Sequence, residues 1–408
     1  MKCYQNFNEI ITLSKAHKKD GRSLLPEDLS LIKNGAIIFD DEKILWVGNS
    51  NSIPKEYKNI QTVDCSGKVL LPEIVDSHTH LVFGGNRAKE YSMRLNGADY
   101  QDIANSGGGI LATMEKTITA SADSLFNDAV QRIERINSYG VGTIEIKSGY
   151  GLTLESERKI TNVIDRLKKH FAPDIRILNT YLAAHAVPGG FKNSRDYLDK
   201  IVMPLLNEFA SDKVIDFVDI FHEEGYFDYS DSEYLFQRTS ELGIKIKIHA
   251  DEFNDNKGAV LASKYNAVSA DHLLCTTADG VQALSKSQTV ATLLPGTAFF
   301  LGKPLADARA FLDGGCKVAL ASDYNPGSSH CDNLLLVASI SAKSLQINLT
   351  ELWCAITLNA SHALGLQNQG ALIPGLSPRF SIFQCDTVDE ITYSWGRNFS
   401  IKNNTKNK

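Results

Sequence analysis

Between residues 69 and 322 the chain alternates short apolar runs with amphipathic stretches, and this alternation narrows the fold more than any other feature. Runs at 69–75, 141–146, 175–183, 215–221, 244–249, 267–271, 288–294 and 317–322 have the length and apolar content of buried strands. Ser124–Tyr139, Leu154–His170, Asp196–Phe209 and Asp231–Leu242 lie between them with helical periodicity. Strands that alternate with helices imply parallel βαβ units. Eight such units predict an α/β fold, a closed (β/α)8 TIM-type barrel with its active site at the C-terminal ends of the strands. The rival, an open doubly wound sheet, calls for G-x-G-x-x-G after its first strand. The glycines at 107–109 and at 149 and 151 do not form that pattern.

The two ends read differently. Residues 1–66 carry strand-like runs at Ile10–Leu13, Gly35–Phe39, Ile44–Val47 and Thr62–Val63, broken by turn signals such as Ser50-Asn51-Ser52-Ile53-Pro54. Similar runs follow at 370–375, Phe380–Cys385 and Glu390–Trp395, before a polar tail expected to fray. Neither end is large enough for a core of its own. Residues 1–66 and 366–408 are therefore expected to build one small antiparallel β domain, a β-sandwich, beside a barrel of residues 67–365.

Composition removes several classes of function. A net charge of −6 argues against nucleic acid as an obligatory partner. No apolar run approaches the ~18 residues of a membrane span, and Met1-Lys2-Cys3-Tyr4-Gln5-Asn6 lacks a signal peptide's apolar core. The 7 cysteines are scattered without a CxxC, which suits reduced thiols in a cytoplasm. Asn398-Phe399-Ser400 and Asn403-Asn404-Thr405 match the glycosylation pattern, which means nothing without secretion.

The first barrel run leads into Asp76-Ser77-His78-Thr79-His80. Residues i and i+2 of a strand point the same way, so His78 and His80 can aim two imidazoles at one point. The fifth run ends in His249, with Asp251 and Glu252 behind it; the sixth ends in Asp271-His272 and the eighth in Asp323. A barrel gathers these ends on one rim. Three neutral imidazoles and a carboxylate make a set for Zn²⁺ or Fe with a position open to water. Taken singly, each residue also reads as a satisfied core histidine or a helix N-cap; their coincidence at strand ends favours a metal site. Glu252, three residues past His249, is placed to stand beside a bound water as general base. His272 is placed to orient that water or stabilise an oxyanion.

The order His-x-His, His, His, Asp resembles the amidohydrolase superfamily. The finer resemblance is to the imidazolonepropionase family. It is carried by His78-Thr79-His80-Leu81-Val82-Phe83-Gly84-Gly85-Asn86-Arg87, Arg94-Leu95-Asn96-Gly97-Ala98 and Gly107-Gly108-Gly109-Ile110. Glu145-Ile146-Lys147-Ser148-Gly149-Tyr150-Gly151-Leu152, Ala183-Ala184-His185-Ala186-Val187-Pro188, His249-Ala250-Asp251-Glu252-Phe253 and Ser322-Asp323-Tyr324-Asn325-Pro326-Gly327-Ser328 extend it. It covers residues 67 to 365. Outside the chemistry the chain departs from the family: Pro72-Glu73 stands where Pro-Gly is common, and Ser377-Pro378-Arg379-Phe380-Ser381-Ile382 replaces a G-x-x-A-D-L segment.

The resemblance implies hydrolysis of 4-imidazolone-5-propanoate to N-formimidoyl-L-glutamate, in histidine degradation; another cyclic amidohydrolase or a deaminase of the superfamily is the alternative. It implies one Zn²⁺ or Fe³⁺ held by His78, His80, His249 and Asp323, with Asp323 sharing the base role. Strand four ends in His222-Glu223-Glu224-Gly225, without the bridging lysine of two-metal relatives. Arg87 matches the family's substrate residue, and a guanidinium suits a propanoate. Tyr150, His185, Asn325, Gly327 and Ser328 align with its other substrate contacts; the turn at 325–328 is expected to offer backbone N–H groups to a carboxylate. Residues 81–140 read as a cap over the site. The resemblance also implies a homodimer acting on a small molecule.

Overall fold

The computed structural model describes residues 1–97 and 108–401. Ala98, Gly107 and Asn403-Asn404-Thr405 of the motifs above, and the tail from 402, lie outside the described residues.

Eight parallel strands run in chain order: β6 (Ile74–Asp76), β7 (Val141–Lys147), β8 (Arg176–Ala184), β9 (Phe217–His222), β10 (Lys245–Ala250), β11 (Ser269–His272), β12 (Val290–Leu293) and β13 (Val318–Leu320). Asp323 N–H donates to His78 C=O at 3.1 Å and His80 N–H to Tyr324 C=O at 2.9 Å, which joins β13 back to β6. Helices Ala122–Ser138, Leu154–Phe171 and Tyr229–Glu241 lie where periodicity puts them. Each is capped by a side chain: Ser121, Thr153 and Asp228 accept from Ser124, Ser156 and Asp231 N–H. The stretch expected as one helix over Asp196–Phe209 is two, Ser194–Tyr197 and Met203–Asp212, joined by a wider π turn at Leu198–Val202. Helix Ala122–Ser138 belongs to the first βα unit of the barrel, so only the segment before it is free to act as a cap.

The second sheet is mixed rather than antiparallel, and its seven strands are hydrogen-bonded as one sheet. It contains β1 (Lys2–Ile11), β2 (Leu31–Phe39), β3 (Ile44–Asn49), β4 (Thr62–Asp64), β5 (Val69–Pro72), β14 (Phe380–Phe383) and β15 (Ser400–Ile401). β1 pairs antiparallel with β2 but parallel with β4 and β5. Phe7, Ile10, Ile37, Leu70, Phe380 and Ile382 form its core. Glu390–Trp395, expected as a strand, gives helix Asp389–Tyr393; Glu390 Oε1 accepts the N–H groups of Asp386 and Thr387 and anchors its start. Residues 370–375 bond to strand ends, Leu372 N–H to Thr12 C=O and Gly375 N–H to Ile44 C=O, without forming a strand. All 7 cysteines are free. Among the described residues no helix is long and apolar enough to cross a membrane.

The run at 69–75, expected as the first barrel strand, divides: β5 joins the mixed sheet and β6 the barrel. Glu73 marks the crossing. Its carboxylate takes two bonds from Arg379, at 2.7 and 2.8 Å, and one from Thr143 Oγ1 at 2.5 Å. A Cβ on Gly142 would overlap this carboxylate. The two departures from the family pattern are therefore partners, joining barrel to sheet. Removing one partner of a buried pair strands the other. Arg379→Ala is expected to lower unfolding free energy by about 3 kcal/mol, with Glu73→Gly/Arg379→Ala losing less than the sum of the single changes, measured by denaturant unfolding.

Candidate metal centre and active-site rim

Just beyond β6, Thr79 pairs with Tyr324 in an isolated parallel bridge, and the rings of His78 and His80 on either side of it meet. Their Nε2 atoms lie 3.2 Å apart, and Nε2 of His249, at the end of β10, lies 3.4 Å from that of His80. Asp323 Oδ1 stands 3.5 and 3.6 Å from Nε2 of His78 and His80. Its Oδ2 accepts from Thr297 Oγ1 at 2.5 Å. All four side chains are buried.

The outward ring nitrogens fix the chemistry of the inward ones. His78 Nδ1 is 2.7 Å from Asp271 Oδ2, and His249 Nδ1 is 3.1 Å from Asp219 Oδ2. An ionised carboxylate only accepts, so each Nδ1 carries the proton and each Nε2 presents a lone pair. Bare imidazole lone pairs crowded together out of water repel unless a cation lies among them. Burial, reinforced by neighbouring cationic groups, holds His78 and His80 well below the usual histidine range, so both are neutral, the form that ligates. The donor set fits a divalent metal ion. Among the described residues this is the one group of three His, Cys, Asp or Glu side chains so arranged.

Around this centre stand the other rim residues. Glu252 Oε2 lies 3.7 Å from His272 Nε2. Burial first, then Asp323 and Glu223, push the Glu252 carboxyl up to about 8. Burial likewise keeps His272 neutral, brings His185 down to about 4 and raises Asp323 to about 6. His185 stacks on His80, centroids 5.2 Å apart, and its Nδ1 meets Gly149 C=O at 3.2 Å. Tyr150 packs against both rings. Its hydroxyl is raised by burial and by Asp323, and lowered by Arg87. The chain leaves three strands through left-handed residues, Asp251 (φ 51°), His272 (φ 81°) and Asp323 (φ 50°). Each costs roughly 1 kcal/mol, strain that gathers at the site.

Arg87 is held by Glu90, whose Oε2 lies 2.7 Å from both Nε and Nη2. Glu90 Oε1 accepts from Gly109 N–H at 3.0 Å. A Cβ on Gly327 would overlap Nη1 of Arg87, so a larger residue there would displace the guanidinium from this position. The turn at 325–328 does not offer free amides as expected. The N–H groups of Gly327 and Ser328 both donate to Asn325 Oδ1 at 2.8 Å, and Asn325 Nδ2 donates to Asp323 C=O at 2.7 Å. The turn is closed upon itself and shaped to receive Arg87.

Asp251 and His222, both near the strand ends, are structural. Asp251 accepts from the N–H groups of Gly258 and Ala259 and from Thr276 Oγ1, anchoring helix Gly258–Lys264. His222 is occupied by Ser232 Oγ and Asn256 C=O. Sequence reasoning missed four contributors, Asp219, Glu223, Glu90 and Thr297. Asp219 had a signal, a lone carboxylate inside the apolar run Phe217-Val218-Asp219-Ile220-Phe221. Glu223 binds the N–H of Phe253 at 2.8 Å and the side chains of Asn254 and Asn256, and so fixes the loop that carries Glu252.

No family model matches the chain. Whole-length relatives do. The imidazolonepropionase of Bdellovibrio bacteriovorus is 40% identical over 377 residues, 91% of this chain and 88% of the relative. That of Clostridium tetani is 38% identical over 398 residues, 97% of this chain and 94% of the relative. Solved structures share the fold at low identity. A triazine hydrolase variant superimposes with TM-score 0.73 at 14% identity, covering 98% of this chain and 92% of that one. A 5-methylcytosine deaminase from Klebsiella pneumoniae gives 0.70 at 15%, covering 98% and 96%. An adenosine deaminase from Xanthomonas campestris with bound zinc gives 0.67 at 13%, covering 98% and 90%. Identity of this level over nearly the whole chain, on a barrel whose rim holds a three-histidine centre, shows that the chain belongs to the imidazolonepropionase family.

Proposed function

We propose that this protein hydrolyses the ring amide of 4-imidazolone-5-propanoate to N-formimidoyl-L-glutamate, a step of histidine degradation. Kinship with enzymes of that name supports the reaction. The single observation that carries it to this site is the turn after Asp323: Asn325 Nδ2 donates to Asp323 C=O, and Gly327 lies against Nη1 of Arg87. The proposed metal ligand and the proposed carboxylate anchor therefore meet at one short turn.

His78, His80, His249 and Asp323 hold one Zn²⁺ or Fe³⁺ ion. When bound, the ion acidifies a water and polarises a carbonyl. The water oxygen joins the ring carbonyl carbon, the adjoining C–N bond breaks, and the freed nitrogen takes a proton. Glu252 takes the proton from the water and passes it to that nitrogen. Its raised basicity suits a transfer near neutral pH. Asp323 shares the base role, since a ligating carboxylate can still touch the water. Neutral His272 orients the water and stabilises the developing oxyanion. Arg87, set in place by Glu90 and admitted by Gly327, binds the propanoate. Tyr150 and His185 line the ring pocket, while Asn325 and Ser328 hold the turn under Arg87.

Loss of imidazolonepropanoate absorbance under metal-replete protein tests the reaction; no turnover would refute it. Glu252→Gln is expected to lower kcat by about 10²–10⁴-fold with metal content intact. Arg87→Ala and Gly327→Ala are both expected to raise KM on the order of 10–100-fold, the worth of a charge-assisted pair, with a smaller effect on kcat. Metal affinity follows pH with a definite sign. Ligands bind deprotonated, and burial places the Asp323 carboxyl at about 6 in the metal-free protein. Affinity is therefore expected to fall once pH drops below about 6, up to tenfold per pH unit for this one proton, as read by chelator competition at pH 7.5 and about 5.

A further inference from the structure

Lys147 is fully buried on the inner face of β7, beneath the candidate metal centre. Its Nζ lies 2.7 Å from Asp219 Oδ2, 2.7 Å from Glu145 Oε1 and 3.7 Å from Asp271 Oδ2. Asp219 and Asp271 are the carboxylates on Nδ1 of His249 and His78. One ammonium thus lies within ion-pair distance of both groups that orient ligands from two different strands, though Asp271 also has Lys247 Nζ at 3.6 Å. Its third partner bonds the backbone between His78 and His80. Glu145 Oε2 accepts the N–H of Thr79 at 3.3 Å, and the Lys147 N–H donates to Thr79 C=O at 2.9 Å. Thr79 is the residue between His78 and His80.

We propose that Lys147 is a positioning residue for the metal centre, holding Asp219, Asp271 and Glu145 so that the three imidazoles converge. The proposal rests on the reading that His78, His80, His249 and Asp323 hold a metal ion. Without the ammonium, neighbouring buried carboxylates repel one another, and each that turns away rotates the ring it holds. A lysine that merely neutralised buried acids would affect folding but not the convergence of the rings.

The test is metal binding by the full chain, with Co²⁺ alone as probe. Metal-free wild type, Lys147→Met and Lys147→Met/Glu145→Gln are titrated against a chromophoric chelator. The Co²⁺ ligand-field spectrum and the melting of each metal-free form are recorded alongside. The double variant removes an anion with the cation, and so preserves the fold if the single variant unfolds. Either folded variant is expected to bind Co²⁺ about 10–100-fold more weakly than wild type, with an altered ligand-field spectrum. Wild-type affinity and spectrum in a folded variant would overturn the proposal, even with a lowered melting temperature. Failure of wild type to bind Co²⁺ would instead refute the ligand set itself.

Discussion

Closure of the barrel depends on backbone bonds made by the candidate metal ligands. Between β6 and β13, Asp323 N–H reaches His78 C=O and His80 N–H reaches Tyr324 C=O. Just below, the Asp76 carboxylate takes the N–H and Oγ of Ser322 at 3.1 and 2.5 Å. Buried backbone groups must be paired somewhere. Here the pairing that ends the sheet's edge also fixes where three ligand side chains begin. The donor set cannot spread apart without opening the seam, so a stable barrel and a defined site are one constraint.

The same geometry explains why the barrel interior is polar below the rim. Ile144, Ile146, Ile246 and Ile248 face outward and join the core under the helices, while Val75, Phe217, Val290 and Ala319 form a separate apolar cluster with Ala360, Ala363 and Leu364. The alternate positions Glu145, Lys147, Lys247, His249, Asp219 and Asp271 face inward, all buried. Charges taken from water need partners of good geometry, and such networks are weak contributors to stability. An apolar interior would be the more stable filling. Lys247 illustrates the expense: its ammonium takes Ser269 Oγ at 2.7 Å, two backbone carbonyls at 3.3 Å and an ion pair with Asp271 Oδ2 at 3.6 Å, deep in the barrel. A polar interior makes sense when the strand ends above it must hold charge in fixed positions.

Period-two and period-3.6 patterning made the barrel legible, and with it the rim on which His78, His80, His249, His272 and Asp323 meet. What stayed hidden was non-local. The apolar run 69–75 carries no sign that the chain changes sheets at Glu73, because both halves are buried strands. Glu390–Trp395 has strand-like residues, but the carboxylate of Glu390 caps a helix instead. Gly327 reads as a turn glycine, and its true demand, space for Arg87, comes from 240 positions earlier in the chain. Asp219 was visible as an acid inside an apolar strand; that it holds His249 was not.

Glu223 and Glu252 show how environment divides labour between identical side chains. Glu223 Oε1 and Oε2 are filled by donors from Phe253, Asn254, Asn256 and Glu224. An acid so saturated has no lone pair to offer a substrate, and its task is to hold a loop. Glu252 sits on that loop, and its carboxylate faces His272 Nε2 at 3.7 Å. Buried and with Asp323 and Glu223 close, its charged form is disfavoured and its affinity for a proton rises. A carboxylate at the metal rim that wants a proton near neutral pH is the kind a hydrolytic reaction requires. Glu223 holds the loop that places Glu252 and adds to the rise in its proton affinity after burial and Asp323, so the reactivity of Glu252 is written partly in the hydrogen bonds of Glu223.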